Sequence, residues 1–396
     1  MTSRPVIRLK PKIDARPLQR GFPWVYANQL VTDRRTRAHQ PGSIVTLEDA
    51  ERREIATVTI NPNSKIIARV LDRKPDAEID GDWLRSTVAR ALALREAIYD
   101  TPHYRLIHAE ADGMPGAVVD RFGDALVIQP NAAWIDARLH AFADILAELT
   151  GATCIYKNAH GRARSLEGLD DVSSLITGTL DGPIPVPMNG ATYMADLQGG
   201  QKTGLFYDQR PNHAFVAKVS EGQDVLDVFS HVGGFGLAAL AQGATSALLV
   251  DGSDAALGHA RDGADATGVS DRLRTRKDDA FDALAALGTE SARFGSVICD
   301  PPAFAPSKSA LDAGLRAYEK VARLAAPLVK EDGFLTLCSC SQAADIAAFQ
   351  AASLRGIGRS GRAPQLLRIG YAGPDHPRLP ALDESGYLKA LTFRLA

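Results

Sequence analysis

The sequence predicts a multi-domain α/β protein with a small β barrel first, a small α+β middle domain second, and an open parallel sheet covered by helices last. Three observations carry this expectation. Residues 1 to about 75 break into short apolar runs divided by turn chemistry. From about Thr192 the chain alternates apolar runs of strand length with stretches of helical spacing. Finally, 396 residues exceed what a single hydrophobic core usually organises. The expected boundaries are 1–75, 76–190 and 191–396.

In the first segment Ser43 to Leu47, Ile55 to Ile60 and Ile66 to Leu71 read as strands, punctuated by Gln40-Pro41-Gly42 and Asn61-Pro62-Asn63-Ser64. Leu84, Val88, Ala91, Leu92 and Arg95 then recur at helical spacing, so a connecting helix is expected after Asp82. Tyr104 to Gln129 reads as strand, turn, strand, with turns at Asp112-Gly113 and Phe122-Gly123-Asp124. A helix from about Ala133 to Leu149 follows, then a strand at Cys154 to Tyr156 and further strands to about Ala195. The middle domain is expected to pack and position the others. In the last segment the strands are Val225 to Val228, Ala247 to Val250, Leu273 to Arg276, Val297 to Cys299 and Phe334 to Leu337. Helices at Gly234 to Gln242 and Ala255 to Thr267 alternate with them, and Leu366 to Ile369 and Leu388 to Phe393 add two strands.

Net charge is −2 and 45% of residues are hydrophobic, the composition of an ordinary soluble chain. No apolar stretch reaches the ~18 residues of a membrane span, so a cytoplasmic, membrane-free protein is expected. The four cysteines, Cys154, Cys299, Cys338 and Cys340, lack paired C-x-x-C spacing, which argues against a zinc site and a disulfide scaffold. Charge is unevenly spread: residues 1–40 hold nine Lys or Arg against two Asp. Clustered cations of this kind suit a phosphate backbone, with Arg8, Lys10, Lys12, Arg20, Arg34 and Arg35 as candidate RNA contacts. The interleaved Phe22, Trp24 and Tyr26 read as core of the barrel in preference to base-stacking groups.

Four constellations carry chemistry. Asp227-Val228-Phe229-Ser230-His231-Val232-Gly233-Gly234-Phe235-Gly236 places a glycine turn between a strand and its helix, which lets a nucleotide-like cofactor approach the backbone. Asp251-Gly252-Ser253 ends the next strand, with an acid suited to ribose hydroxyls. Gly234 to Ala239 also satisfies G-x-G-x-x-A, so a dinucleotide dehydrogenase is a remote alternative. The long turn, the acid inside the strand and the later Asp278-Asp279 favour S-adenosylmethionine. Asp300-Pro301-Pro302-Ala303-Phe304 ends a strand, because proline gives no ladder donor, and leaves Asp300 at the sheet's carboxyl edge. Cys340 follows the next strand. A cytosine C5 becomes nucleophilic only after a thiolate adds to C6, whereas an amine target needs no thiol. Cys338 and Cys299 fit strand alternation and read as core. The Gln198 to Arg210 segment has the composition of a loop that closes over a ligand.

These motifs extend nearly end to end: Pro23-Trp24-Val25-Tyr26, Tyr104-Arg105-Leu106-Ile107, Asp112-Gly113-Met114-Pro115-Gly116, Lys202-Thr203-Gly204, Asp208-Gln209-Arg210, Asp375-His376-Pro377 and Gly386-Tyr387-Leu388-Lys389 join those above. With them the chain resembles the bacterial 23S ribosomal RNA cytosine-C5 methyltransferases, built from an N-terminal PUA domain, a small α+β domain and a class I, Rossmann-like methyltransferase domain. The resemblance implies Cys340 as nucleophile and Asp300 on the cytosine ring. Around S-adenosylmethionine it implies Phe229, Ser230, Gly233, Asp251, Ser253 and Asp279; Thr203, Gln209, Gly234, Gly252, Asp278 and Asp300 complete the expected cofactor set. The expected partner is 23S ribosomal RNA, with a homodimer as candidate assembly. Ala303 stands where relatives are expected to carry Lys or Cys, so the group that takes the C5 proton is not assigned. The alternatives are an RNA amino-methyltransferase acting on guanine or adenine and a non-catalytic RNA-binding module.

Overall fold

The structure is a computed structural model that describes residues 4–199 and 204–396. The chain divides into two compact units, Met1–Asp181 with Pro374–Ser385, and Gly182–Gly373 with Gly386–Ala396.

In the first unit Val6–Arg8, Ser43–Glu48, Glu54–Ile60, Ala68–Asp72 and Trp24–Val25 form a five-stranded sheet in that spatial order. Ile7, Val25, Val45, Val58 and Ile60 fill its interior. A second sheet orders Ser174–Thr177, Cys154–Lys157, Ala125–Pro130, Ala117–Phe122 and His103–His108. The helix Gly81–Glu96 begins slightly before the expected point, because Asp80 caps it by accepting from Trp83 N at 2.9 Å. The single helix expected from Ala133 is two, Ala133–Asp136 and Leu139–Thr150. Trp134, fully buried, is pinned by its Nε1 to the Pro115 carbonyl at 2.8 Å just before the break.

Buried charges tie this unit together. Arg95, fully buried, forms a bidentate pair with Asp112, both bonds 2.7 Å, and Arg105 pairs with Asp120 at 2.7 and 2.8 Å. Asp375 adds to the network: its carboxylate accepts from Arg105 N at 3.0 Å and Tyr99 Oη at 3.2 Å, and its carbonyl accepts from Arg95 at 2.9 Å. These bonds explain why Pro374–Ser385, flanked in sequence by strands of the other unit, belongs to this one. His376 is buried beside Asp375, its Nδ1 3.0 Å from Oδ1, which gives it a structural place.

The second unit opens with the hairpin Ile184–Met188/Ala191–Ala195. The composition shift near residue 190 thus lies inside this unit. The hairpin's later strand packs on the helix Asp254–Thr267, where Thr192 N donates to Thr267 Oγ1 at 2.9 Å. The main sheet has seven strands: β1 Asp224–Val228, β2 Ser246–Asp251, β3 Leu273–Lys277, β4 Phe294–Cys299, β5 Val329–Ser339, β6 Pro364–Gly370 and β7 Lys389–Leu395. Their spatial order is β3-β2-β1-β4-β5-β7-β6. The first five are parallel, while β7 runs antiparallel to both β5 and β6. Strand order therefore reverses between β1 and β4, the point at which open α/β sheets bind ligands beyond their carboxyl ends.

All three tryptophans, Trp24, Trp83 and Trp134, lie in the first unit, so their fluorescence reports its unfolding alone. Removing one partner of a buried ion pair costs about 3 kcal/mol or more. Asp112→Ala is expected to lower that unit's stability in urea by this amount; a loss below ~1 kcal/mol would show that the pair does not anchor it.

Candidate active site

The site begins where β1 ends. Phe229 and His231 adopt left-handed backbone, φ 63° and 51°, and Gly233 follows at φ 85°. Such conformations cost non-glycine residues energy and persist where neighbours fix them. Here Ser230 N donates to the Val250 carbonyl at 3.1 Å, and Gly233 N to the Ser230 carbonyl at 2.8 Å. Asp227, buried within β1, accepts from Gly236 N at 2.9 Å and so fixes the start of the helix Gly234–Ala241. A Cβ on Gly236 would stand 2.5 Å from Leu249 Cδ1, so a larger residue here would have to push the Leu249 side chain aside.

Asp251, closing β2, braces the same turn: Oδ2 accepts from His231 N at 2.9 Å and Oδ1 from Ser253 N at 2.8 Å. Ser253 caps the helix Asp254–Thr267 through Ala256 N, and Asp279 caps the helix Ala280–Thr289 through Phe281 N and Asp282 N. Asp278 pairs with Arg276 at 2.8 Å.

These elements surround a cavity of about 480 Å³, ample for a nucleotide-sized ligand. Of the expected cofactor residues, Gln209, Phe229, Ser230 and Gly234 line it from β1 and the segment before it. Asp251, Gly252, Asp278, Asp279 and Asp300 line it from the ends of β2, β3 and β4. Gly233 and Ser253 are not among its lining residues: the first shapes the turn and the second is a helix cap. Thr203 lies outside the described residues. Sequence reasoning missed His213, which lines the cavity with its ring against Gly234; a Cβ there would meet it at 2.7 Å. Burial pulls this histidine down to about 3, so it is neutral. Asp208, in the sequence no more than one member of a motif, accepts from Tyr387 Oη at 2.6 Å.

The two reactive candidates meet at the adjacent ends of β4 and β5. Cys299 pairs with Leu337, so Asp300 comes just after the end of β4 and Cys340 just after the end of β5. Asp300 is oriented by a relay in which Asn212 Nδ2 donates to Gln209 Oε1 at 2.7 Å and Gln209 Nε2 donates to Asp300 Oδ2 at 2.9 Å. Cys340 is held from either side. Ser339 Oγ donates to Tyr318 Oη at 3.0 Å, Tyr318 Oη lies 2.7 Å from Ser341 Oγ, and Ser341 Oγ accepts from Ala305 N at 2.9 Å. This buried hydroxyl chain fastens the cysteine loop to the Asp-Pro-Pro turn, and Cys340 Sγ lies 4.0 Å from the Pro301 carbonyl. Cys340 lines the cavity and is partly exposed; Cys299 and Cys338 are buried, and burial pushes both thiols up. Cys299 and Cys338 lie within strands, whereas Cys340 lies just past the end of its strand, and that strand-end position sets it apart from the two buried thiols. Lys389, part of a sequence motif but given no role there, sends Nζ to the carbonyls of Ser341 and Ala344, each at 2.7 Å.

The basic N-terminal set is less uniform than the sequence suggests. Arg8 pairs with Glu48 at 2.9 Å and Lys10 Nζ donates to the Asn28 carbonyl at 2.9 Å, so both have local work. Lys12, Arg20, Arg34 and Arg35 are exposed. Phe22, Trp24 and Tyr26 are half-buried; Trp24 meets the other two rings in T-shaped contacts and donates to Glu110 at 2.8 Å.

An S-adenosylmethionine molecule fits the donor set. Ser230 Oγ, on the cavity wall, and Asp227 Oδ1, beneath it, are buried with no hydrogen-bond partner among the described residues, as expected of groups that await a polar ligand or water. Burial, with the nearby Asp300 and Asp251 carboxylates, raises Asp227 to about 7. A carboxyl raised on folding stabilises below its unfolded value and loses that contribution as pH rises through the folded one. The stability difference between Asp227→Asn and the wild type, read by hydrogen exchange in the seven-stranded sheet without cofactor, should therefore grow in the variant's favour from about pH 4 to 7 and then level off. A pH-independent difference would contradict this.

Residues 7–73 match the PUA-like domain, and residues 136–394 match the S-adenosylmethionine-dependent methyltransferase family. The ribosomal RNA large subunit methyltransferase I of Shewanella denitrificans is 32% identical over 98% of this chain and 99% of its own. Its namesake from Erwinia tasmaniensis is 31% identical over 96% of each. Among solved structures, a SAM-dependent methyltransferase from Streptococcus mutans superposes with a TM-score of 0.83 at 17% identity, covering 98% of this chain and 100% of that one. A methyltransferase complexed with SAH also gives 0.83, at 18% identity, covering 98% and 99%; at these identities the likeness is one of fold. With its glycine turn, its row of strand-end acids and its PUA-like first segment, the chain belongs to the S-adenosylmethionine-dependent methyltransferase family that includes the ribosomal RNA large subunit methyltransferases I.

Proposed function

We propose that this enzyme transfers the methyl group of S-adenosylmethionine to C5 of a cytosine in large-subunit ribosomal RNA, through a covalent adduct on Cys340. The observation that carries this reading is the placement of a partly exposed thiol and the oriented Asp300 carboxylate on one cavity wall. An amino-methyltransferase would use the Asp-Pro-Pro turn but has no task for such a thiol. The relatives' name supplies the RNA.

When bound, S-adenosylmethionine supplies an electrophilic methyl group. The Cys340 thiolate forms the S–C6 bond, and the ring's C5–C6 electron pair becomes available at C5. As the C5–methyl bond forms, the methyl's bond to the cofactor sulfur breaks with its electron pair staying on that sulfur; the C5 proton then passes to solvent, restoring the double bond as the S–C6 bond breaks and the thiolate returns. Asp300, held by Gln209, contacts the ring edge and keeps C6 facing the sulfur. Ala303 lines the cavity with a methyl side chain and offers no proton acceptor. Asp251 takes the ribose hydroxyls and Ser230 meets the cofactor's polar atoms. Phe229, within 6.5 Å of Phe281 and 6.3 Å of Phe304, supplies an apolar wall. Exposed and cationic, Lys12, Arg20, Arg34 and Arg35 meet RNA phosphates on this reading.

Two measurements test this. RNA carrying 5-fluorocytidine cannot lose its C5 substituent, so it should remain bonded to the wild type after methyl transfer and form no adduct with Cys340→Ala, whose turnover should fall by at least ~1000-fold. Full methyl transfer by Cys340→Ala would replace this reading with amine methylation. Asp251→Ala should weaken S-adenosylmethionine binding by ~10-fold or more in calorimetry, about the value of one charge-assisted hydrogen bond; unchanged affinity would remove Asp251 from the cofactor site.

A further inference from the structure

A thiol with an ordinary pKa of about 8.5 is only a few per cent thiolate at neutral pH, so an enzyme that uses one needs positive charge near the sulfur. The structure holds such a charge in an unusual place. Lys389 opens β7 and stands opposite Ser339 in the antiparallel β5–β7 ladder, one residue before the nucleophile. The residue is 3% exposed. The two 2.7 Å bonds from Nζ end on neutral carbonyls, those of Ser341 and Ala344, in the loop that Cys340 begins. Lysine is rarely buried without a compensating charge, and two carbonyls give only part of that compensation.

We propose that the Lys389 ammonium is a positioning residue for Cys340: it holds the cysteine loop by two hydrogen bonds and stabilises the thiolate form of the sulfur. The inference rests on the reading of Cys340 as the nucleophile. The thiol proton leaves to solvent while Lys389 keeps its own. Burial pulls the Lys389 ammonium down to about 8, and the charges that draw it back up are the Cys340 sulfur and the Asp345 carboxylate. Asp345 is committed to capping the helix Ile346–Arg359, accepting from Ala348 N at 2.7 Å. Among the described residues, Tyr318, whose hydroxyl is pushed up by burial, also bears on the sulfur, and Asp300 on the same cavity wall disfavours a thiolate. Lys389 therefore offsets Asp300, and its support is present below about pH 8 and fades above it as the amine loses its proton.

The test reads the sulfur directly. Iodoacetamide labelling of Cys340 in the full-length protein, followed by peptide mass spectrometry across pH, should give a midpoint below the ~8.5 of a free thiol. In Lys389→Met the midpoint should rise by about 1 to 3 units, the usual effect of an adjacent opposite charge, with labelling at pH 7 slowed ~10-fold or more. Lys389→Arg, which keeps the charge, should stay near the wild type. Calorimetric binding of S-adenosylmethionine confirms that each variant is folded. A midpoint unchanged in Lys389→Met overturns the proposal and leaves the role of Cys340 intact, since that role is decided separately by adduct formation in Cys340→Ala. Should Lys389→Met fail to fold, a wild-type midpoint at or above ~8.5 overturns the proposal by itself.

Discussion

The parallel pairing of β4 with β5 is the constraint on which the site depends. With Cys299 opposite Leu337, the two strands end nearly level, so the loops that leave them are forced to the same edge of the sheet. Pro301-Pro302 stops one strand and leaves Asp300 at its tip; on the other, Ser339 and Ser341 turn their hydroxyls inward to Tyr318 and leave Cys340 on the cavity side. Side chains on a strand alternate, so a slip of one residue would bury Cys340 and expose Ser339 or Ser341 in its place. The hydroxyl chain from Ser339 to Ala305 N then locks the two loops together.

Electrostatics obeys the same geometry. Asp227, Asp251 and Asp300 converge because β1, β2 and β4 all present their carboxyl ends there; burial first, and then the two neighbouring carboxylates, push Asp227 toward its neutral form. A cationic cofactor suits such a wall, since each carboxylate gains from the positive charge that enters. A thiolate on the same edge is disfavoured by those carboxylates and needs a cation of its own, which places Lys389 and the acids in opposition across Cys340. On the proposed mechanism, the site balances charge on two adjacent strand ends, one for a sulfonium and the other for a sulfur anion.

Much of this is legible in the sequence because the relevant signals are local. A glycine turn after an acid-bearing strand, a proline pair at a strand end and the strand-end position that sets Cys340 apart from Cys338 need only neighbouring residues to be read. The features that escape such a reading depend on contacts between distant segments. Lys389 looks like the polar start of a strand until β7 is seen to pair with β5. His213 reads as one polar residue in a helix until its ring is found beneath Gly234. Ser253 and Asp279 read as ligand groups from the sequence, and each also caps a helix, Asp279 while lining the cavity; a strand-end serine or acid serves both purposes, so the capping pattern alone does not separate them. The tail segment Pro374–Ser385 belongs with the first unit because Asp375 satisfies Arg95 and Arg105, a match that no local rule reveals.

Bisulfite sequencing of large-subunit ribosomal RNA from cells that carry the natural gene, the Cys340→Ala gene or neither tests the central claim most directly. One cytosine should resist conversion in the first and convert fully in the other two. A cytosine profile identical in all three would contradict the assignment of this site to C5 methylation.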